Sequence, residues 1–185
     1  YSQPPLENTN FPKIINQTHL QRLLAYLDDG KIYSGGNYHK DTNTIEPTIL
    51  TDVSPTSRVM QEEIFGPILP IFSYRRLDEV ISFVKNRPKP LALYAFTENK
   101  TVEKQIIDQL SFGGGCINDT IYHLATPYLP FGGVGGSGMG SYHGRTSFET
   151  FSHQKSILKQ TTVFDLPMRY PTMKNGLKII RKLLK

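Results

Sequence analysis

The sequence predicts an α/β layer fold with a parallel sheet. Leu91-Ala92-Leu93-Tyr94-Ala95-Phe96 is a continuous apolar run of strand length. Such runs suit strands buried on both faces, as in parallel sheets. A polar segment over about residues 98–110 follows, with Val102, Ile106 and Leu110 on one helical face. Phe112 to Ile117 then reads as a further, glycine-interrupted strand. Strand, helix and strand in this order are the pattern of a layered α/β architecture. At 185 residues, 38% hydrophobic and 20% charged, the chain is long and apolar enough for one sizeable globular domain.

The other elements follow from local patterns. Residues 1–10 are polar and proline-rich and read as coil. Apolar residues at Ile14, Ile15, Leu20, Leu23, Leu24 and Leu27 have helical spacing, with Asn16 or Thr18 as the cap. Asp28-Asp29-Gly30 ends that helix, with Gly30 suited to the left-handed position after it. Lys31 to Ser34 reads as a strand, Gly35-Gly36-Asn37 and Asp41 to Asn43 as turns, and Ile45 to Leu50 as a second strand. Leu77 to Val84 is helical, with Asp78 and Glu79 where the helix dipole favours acids. Ser147 to Gln160 reads as extended. Leu177, Ile180, Leu183 and Leu184 share a helical face opposite Lys174, Lys178, Arg181, Lys182 and Lys185, a basic amphipathic helix.

Composition narrows the function. Cys116 is the only cysteine, so no disulfide forms within the chain. The five histidines show no zinc spacing, and no metal site is expected. The net charge of +5 is concentrated at the tail, where five of the 21 Lys and Arg lie within residues 174–185. No apolar run reaches the roughly 18 residues of a membrane-spanning helix. The chain opens on Tyr1 without a signal-peptide pattern, so a fragment or processed piece is expected.

Two stretches concentrate the chemistry. Residues 129–140 hold six of the 15 glycines. Pro130, Phe131, Val134 and Met139 interrupt them, so a close-packed loop competes with a polar flexible linker. The second stretch is Gln61-Glu62-Glu63-Ile64-Phe65-Gly66-Pro67. Neighbouring side chains point to opposite sides in extended backbone, so one of the two acids can face inward. Alternatively both are surface acids before a turn.

Together these blocks resemble the aldehyde dehydrogenases. The second half of the resemblance is Asn118-Asp119-Thr120, His123, Leu129 to Gly135 and Ser137 to Gly140. Tyr142-His143-Gly144 and Ser147-Phe148-Glu149-Thr150-Phe151-Ser152-His153 are similar to the class-3 and fatty-aldehyde branch in particular. The resemblance runs from about Asn10 to about Leu158 and covers the C-terminal part of such an enzyme. It implies an open, twisted, mostly parallel sheet with flanking helices, plus an oligomerisation strand. Residues 1–150 would be the C-terminal portion of the catalytic domain, 151–163 the oligomerisation strand and 164–185 the basic amphipathic tail.

The family oxidises aldehydes to acids with NAD, or with NADP in some members. A cysteine thiolate attacks the aldehyde, hydride leaves to the nicotinamide, and water cleaves the thioester. The nucleophile, the general base and the nucleotide domain are expected upstream, so no catalytic residue is assigned here and the 185 residues are not expected to act alone. By resemblance, Glu63 holds the nicotinamide-side ribose hydroxyls and Phe65 packs beside the nicotinamide, leaving Glu62 a surface acid. Tyr122, His123, Leu124, Tyr128 and Phe131 are implied to line the substrate tunnel, suited to a long-chain or aromatic aldehyde. His123 also has a purely structural reading. Asn118 would fix its loop through side-chain to backbone bonds. Cys116, in Gly113-Gly114-Gly115-Cys116-Ile117-Asn118, is expected to be a buried structural cysteine.

The strand over Ser152 to Thr162 implies a homodimer. The tail, with the fatty-aldehyde resemblance, implies an intracellular, cytosol-facing protein at a membrane surface: the ER, the mitochondrial outer membrane or a lipid droplet. Two other readings compete. One is a non-catalytic membrane- or nucleic-acid-binding module using the basic helix, although no interleaved basic and aromatic surface for nucleic acid is evident. The other is a phosphate-binding loop protein, which the lack of a Gly-Lys-Ser/Thr sequence disfavours.

Overall fold

Helix α1 runs Gln17–Tyr26 in the computed structural model, which describes residues 4–184. The coil expected over residues 1–3 and the terminal basic residue Lys185 lie outside these. Asn16 starts the helix, its side chain accepting from the His19 backbone N–H at 2.8 Å. The helix therefore begins after Ile14 and Ile15, at Asn16 of the two expected caps, with that residue extended at φ −159°. Gly30 departs from expectation. Its backbone is extended at φ −165°, not left-handed. A Cβ there would lie 2.7 Å from both the Thr51 carbonyl oxygen and Val53, so close approach is what requires glycine.

The chain divides into two units, residues 1–87 and 88–185. In the first, β1 (Lys31–Ser34), β2 (Tyr38–His39), β3 (Thr44–Ile45), β4 (Thr48–Thr51) and β5 (Ile68–Pro70) follow α1. β4 lies between β1, antiparallel, and β5, parallel, while β2 and β3 form a separate hairpin. The single strand expected over Ile45 to Leu50 is thus two, separated by Glu46 and Pro47. Pro47 has no N–H to give a ladder, which breaks the run there. Leu20, Leu23 and Tyr26 of α1 bury against Ile45, Leu50, Val53, Val59 and Ile68. Helix α2 (Leu77–Lys85) closes the unit, with Phe83 5.3 Å from Phe72 between ring centroids.

Two polar clusters fasten the segment before β5 to α1. At its start, Asp29 accepts from Arg58 and from the Val59 N–H, while Arg58 donates to the Ala25 carbonyl. Further on, Arg22 pairs with Glu62 at 3.1 Å, and the Tyr26 hydroxyl donates to Glu62 at 2.5 Å. Glu62 is thus the surface acid expected, its side chain 55% exposed, and it is also engaged by both partners. The Tyr26 hydrogen bond first, and the Arg22 charge after it, hold its carboxyl below the ordinary carboxylate value. Burial, and then the bond to Glu62, push the Tyr26 hydroxyl up.

In the second unit β6 (Ala92–Ala95) pairs in parallel with β7 (Gly114–Ile117) across α3 (Lys100–Gln109). The predicted strand–helix–strand order and parallel pairing hold. Burial on both faces does not, since this two-stranded sheet leaves Tyr94 and Phe96 exposed. Asn99 caps α3 by accepting from the Thr101 and Val102 N–H groups. A short α4 (Tyr122–Ala125) follows β7. Gly144–Thr150 is helix α5, where an extended run from Ser147 was expected. The Ser147 hydroxyl accepts from the His143 N–H, and Arg145 pairs with Glu149 one turn on, so local bonding favours the helix. Residues 153–161 then form no regular element. The tail ends in α6 (Gly176–Leu183). Among the described residues no helix is long and apolar enough to cross a membrane.

Two stability predictions follow from the first unit. Leu23 is fully buried, so Leu23→Ala should cost about 2–5 kcal/mol in urea unfolding of the complete protein. For Glu62 the sign follows from its lowered folded-state pKa. The stability it adds is full above the ordinary value of 4.5 and fades as pH falls through the lowered one. Glu62→Gln should therefore lower urea stability near neutral pH, with the gap to the parent narrowing in acid below that value. A gap that stays constant into acid would exclude the ionised contact.

Candidate functional site

The loop from Gln61 to Pro67 joins a 3-10 turn (Arg58–Met60) to β5. Three successive carbonyls of this loop are taken by α1. Arg22 donates to Glu63 O at 3.1 Å and to Ile64 O at 2.7 Å. His19 Nε2 donates to Phe65 O at 2.8 Å. The Arg22 Nε–H points at His19 Nδ1 at 3.3 Å, which leaves the imidazole hydrogen on Nε2. Phe65 is left-handed at φ 49°, an unusual backbone for a bulky residue. A Cβ on Gly66 would lie 2.6 and 2.7 Å from the two terminal carbons of Leu23. Glycine thus lets the loop rest directly on the helix. Pro67 O then accepts from Thr48 N at 2.7 Å and hands the chain to the sheet.

With its backbone so engaged, the loop turns two side chains outward. Phe65 is 72% exposed. The Glu63 carboxylate has no hydrogen bond or ion pair among the described residues. Of the two adjacent acids, Glu62 is consumed internally and Glu63 is free. A free carboxylate beside an exposed aromatic ring can accept from two vicinal hydroxyls while the ring packs against a flat group. Sequence reasoning missed His19, Arg22 and Tyr26. Their signal was available as three polar-headed residues at positions i, i+3 and i+7 of one helix face.

The residues expected to line a tunnel belong to the second unit and are not alike. Tyr122, Leu124 and Tyr128 are exposed, Tyr128 at 91%. His123 is 6% exposed and sits between Tyr94 and Phe131, each 5.7 Å away between ring centroids. Its Nδ1 lies 3.6 Å from Cys116 Sγ, and its Nε2 is buried with no hydrogen-bond partner among the described residues. Cys116 is half-buried, not buried as expected. Phe131 packs on from His123 to Tyr142 and His143. The structure thus makes His123 and Phe131 parts of one aromatic cluster and leaves Tyr122, Leu124 and Tyr128 outside it.

Glycines hold this cluster close. A Cβ on Gly132 would lie 2.1 Å from the Gly140 oxygen, and one on Gly133 the same distance from the Ser137 oxygen. The stretch over 129–140 is therefore a close-packed bend, pinned by the Phe131–Tyr142 bridge and by Ser137, whose hydroxyl bonds to the Val134 N–H and carbonyl. Asn118 behaves as expected, its amide accepting from Thr97 N at 2.7 Å and donating to Thr97 O at 2.9 Å. Among the described residues no three His, Cys, Asp or Glu converge as metal ligands.

A profile described as "Aldehyde dehydrogenase family" matches residues 2–157. The chain is 47% identical over its whole length to 4,4'-diaponeurosporen-aldehyde dehydrogenase of Staphylococcus aureus, spanning 41% of that protein. It is 51% identical over 85% of its length to the mouse "Aldehyde dehydrogenase, dimeric NADP-preferring", spanning 35% of it. Among solved structures, the substrate-bound S. aureus AldH superposes with a TM-score of 0.83 at 48% identity, over 95% of this chain and 39% of that one. An aldehyde dehydrogenase of Mycobacterium tuberculosis complexed with NAD+ superposes at 0.73 and 28% identity, over 84% of this chain and 33% of that one. The chain thus spans well under half of these relatives. With the profile matching most of its length, the chain belongs to the aldehyde dehydrogenase family.

Proposed function

We propose that this chain supplies the cofactor-ribose and substrate-side portion of an NAD(P)-dependent enzyme that oxidises a long-chain or aromatic aldehyde to its acid. The observation that carries the reading is the Glu63 carboxylate, unpaired among the described residues on a loop whose carbonyls at 63, 64 and 65 are engaged. The residues fit a dinucleotide, because an acceptor with two oxygens meets a ribose diol and the exposed Phe65 ring meets a flat heterocycle. When bound, NAD(P) supplies the hydride acceptor. Glu63 orients the ribose and Phe65 limits the tilt of the ring, so the reacting carbon is presented in one geometry. The nucleophile and general base belong to the part of the family fold upstream of these residues.

In this reading residues 1–150 are catalytic-domain structure, with Tyr122, His123, Leu124, Tyr128 and Phe131 as the tunnel side. Their aromatic and aliphatic character supports an apolar aldehyde. Residues 151–163 pair with a second subunit. Residues 153–161 have no strand partner among the described residues, which supports that role. The tail over 164–185 lies on an anionic membrane surface, supported by exposed Leu177 and Leu183 beside Lys178, Arg181 and Lys182 on α6.

Glu63→Gln in the complete enzyme should slow single-turnover NAD(P)H formation about ten- to a hundredfold, the range of one lost charge-assisted contact, with a smaller effect on aldehyde KM. An unchanged rate at saturating cofactor would overturn the assignment. For the subunit contact, deletion of residues 152–162 should shift sedimentation from dimer to monomer. A parent protein that sediments as a monomer would remove that part of the reading.

A further inference from the structure

The part of the loop that carries Glu63 and Phe65 is hydrogen-bonded through its carbonyls, and from α1. Among the described residues none of its backbone N–H groups from 62 to 66 donates a hydrogen bond. Its carbonyls at 63, 64 and 65 are bonded, and every donor comes from two side chains of α1. We propose that Arg22 and His19 are positioning residues for this loop, setting where Glu63 and Phe65 stand to receive the dinucleotide. The proposal rests on the cofactor-facing reading of those two residues given above.

The geometry favours positioning over simple support. The body of α1 is anchored independently, because Leu20 and Leu23 are fully buried whatever Arg22 does. Arg22 is spent instead on the loop. Its planar guanidinium reaches Glu63 O, Ile64 O and the Glu62 carboxylate at once, and Nε–H fixes the His19 tautomer that serves Phe65 O. A guanidinium has five donors in a rigid fork, so the spacing of the two carbonyls is fixed by the side chain itself. A lysine ammonium presents its three donors from one freely rotating point, so it does not fix that spacing. Glu62 completes the arrangement by balancing the Arg22 charge, which leaves Glu63 free to bind outside the protein.

The test is a double-mutant cycle in the complete enzyme with Arg22→Lys and Glu63→Gln. NAD(P)+ affinity is measured by fluorescence titration without aldehyde, and hydride transfer by stopped-flow single turnover. Arg22→Lys should weaken cofactor binding and slow transfer, each about tenfold, with aldehyde KM changed less. In the Glu63→Gln background the same substitution should cost clearly less than in the parent, since the share of its effect that acts through Glu63 is already gone and only the share through Phe65 remains. Effects that multiply independently would overturn the positioning role while the reading of Glu63 stands. A Glu63→Gln enzyme with parent affinity and rate would overturn that reading, and the positioning role with it. Should Arg22→Lys fail to fold, His19 carries the test. His19→Ala should weaken cofactor binding several-fold, whereas His19→Gln, which keeps an N–H donor for Phe65 O, should retain the parent value. Equal loss in both variants would overturn the proposal.

Discussion

The grip of Arg22 on the backbone of residues 63 and 64 is the contact on which the first unit's site depends. The loop there cannot join the sheet. Phe65 is left-handed, and Pro67 has no N–H to give a ladder. Its carbonyls would otherwise need donors from solvent or a neighbouring strand. α1 provides them from its polar side, while its apolar side is buried in the core with Leu20 and Leu23. One helix therefore does two jobs, and the second needs the first. A guanidinium fork is a useful ruler only if its own helix does not move. Asp29 and Arg58 hold the other end of the same segment to the end of α1, so the chain between Arg58 and Phe65 is measured against one rigid element.

The second unit solves a comparable problem without charge. Its strands β6 and β7 and the bend after Phe131 approach so closely that side chains would not fit. A Cβ on Gly113 would lie 2.3 Å from Gly132 O and 2.6 Å from Leu91 O, and one on Gly115 would lie 2.1 Å from Leu93 O. The glycines are where backbone meets backbone, and the aromatic cluster of Tyr94, His123, Phe131 and Tyr142 fills the space beside them. Asn118, left-handed at φ 58°, ties the end of β7 to the Thr97 backbone after β6, so the exit from the sheet is fixed by one amide.

These contrasts explain what the sequence made legible. Strand and helix positions in 91–117 were readable because apolar runs and helical spacing are local properties. The close packing of the glycine stretch was also readable, since apolar residues interrupt it in a way a linker does not allow. The helix start at Asn16 was half-legible, because capping competes with hydrophobic spacing and the cap prevails. Gly30 misled, because its pattern marks a left-handed helix end and the true requirement was a neighbour 2.7 Å away. Long-range contacts of that kind leave no local trace. The helix over Gly144–Thr150 was missed for the opposite reason. Its signal is two side-chain contacts within one turn, weaker in a sequence than the apolar alternation that follows it.

The adjacent acids show why the site, unlike the fold, needed three dimensions. Glu62 and Glu63 are chemically identical and one residue apart, and nothing in their pattern says which is spent inside. The structure separates them through Arg22. That cation lies where both a carboxylate and two carbonyls can reach it, and it takes Glu62 for charge and the carbonyls of residues 63 and 64 for geometry. Had Glu63 taken the ion pair, its charge would be spent within the protein and the loop would offer no acceptor to a diol. Had neither done so, the arginine would hold the carbonyls with its charge unbalanced at a partly buried position. The first acid is therefore what leaves the second available, and on the proposed reading the pair works as one unit in which a structural carboxylate frees one for the cofactor.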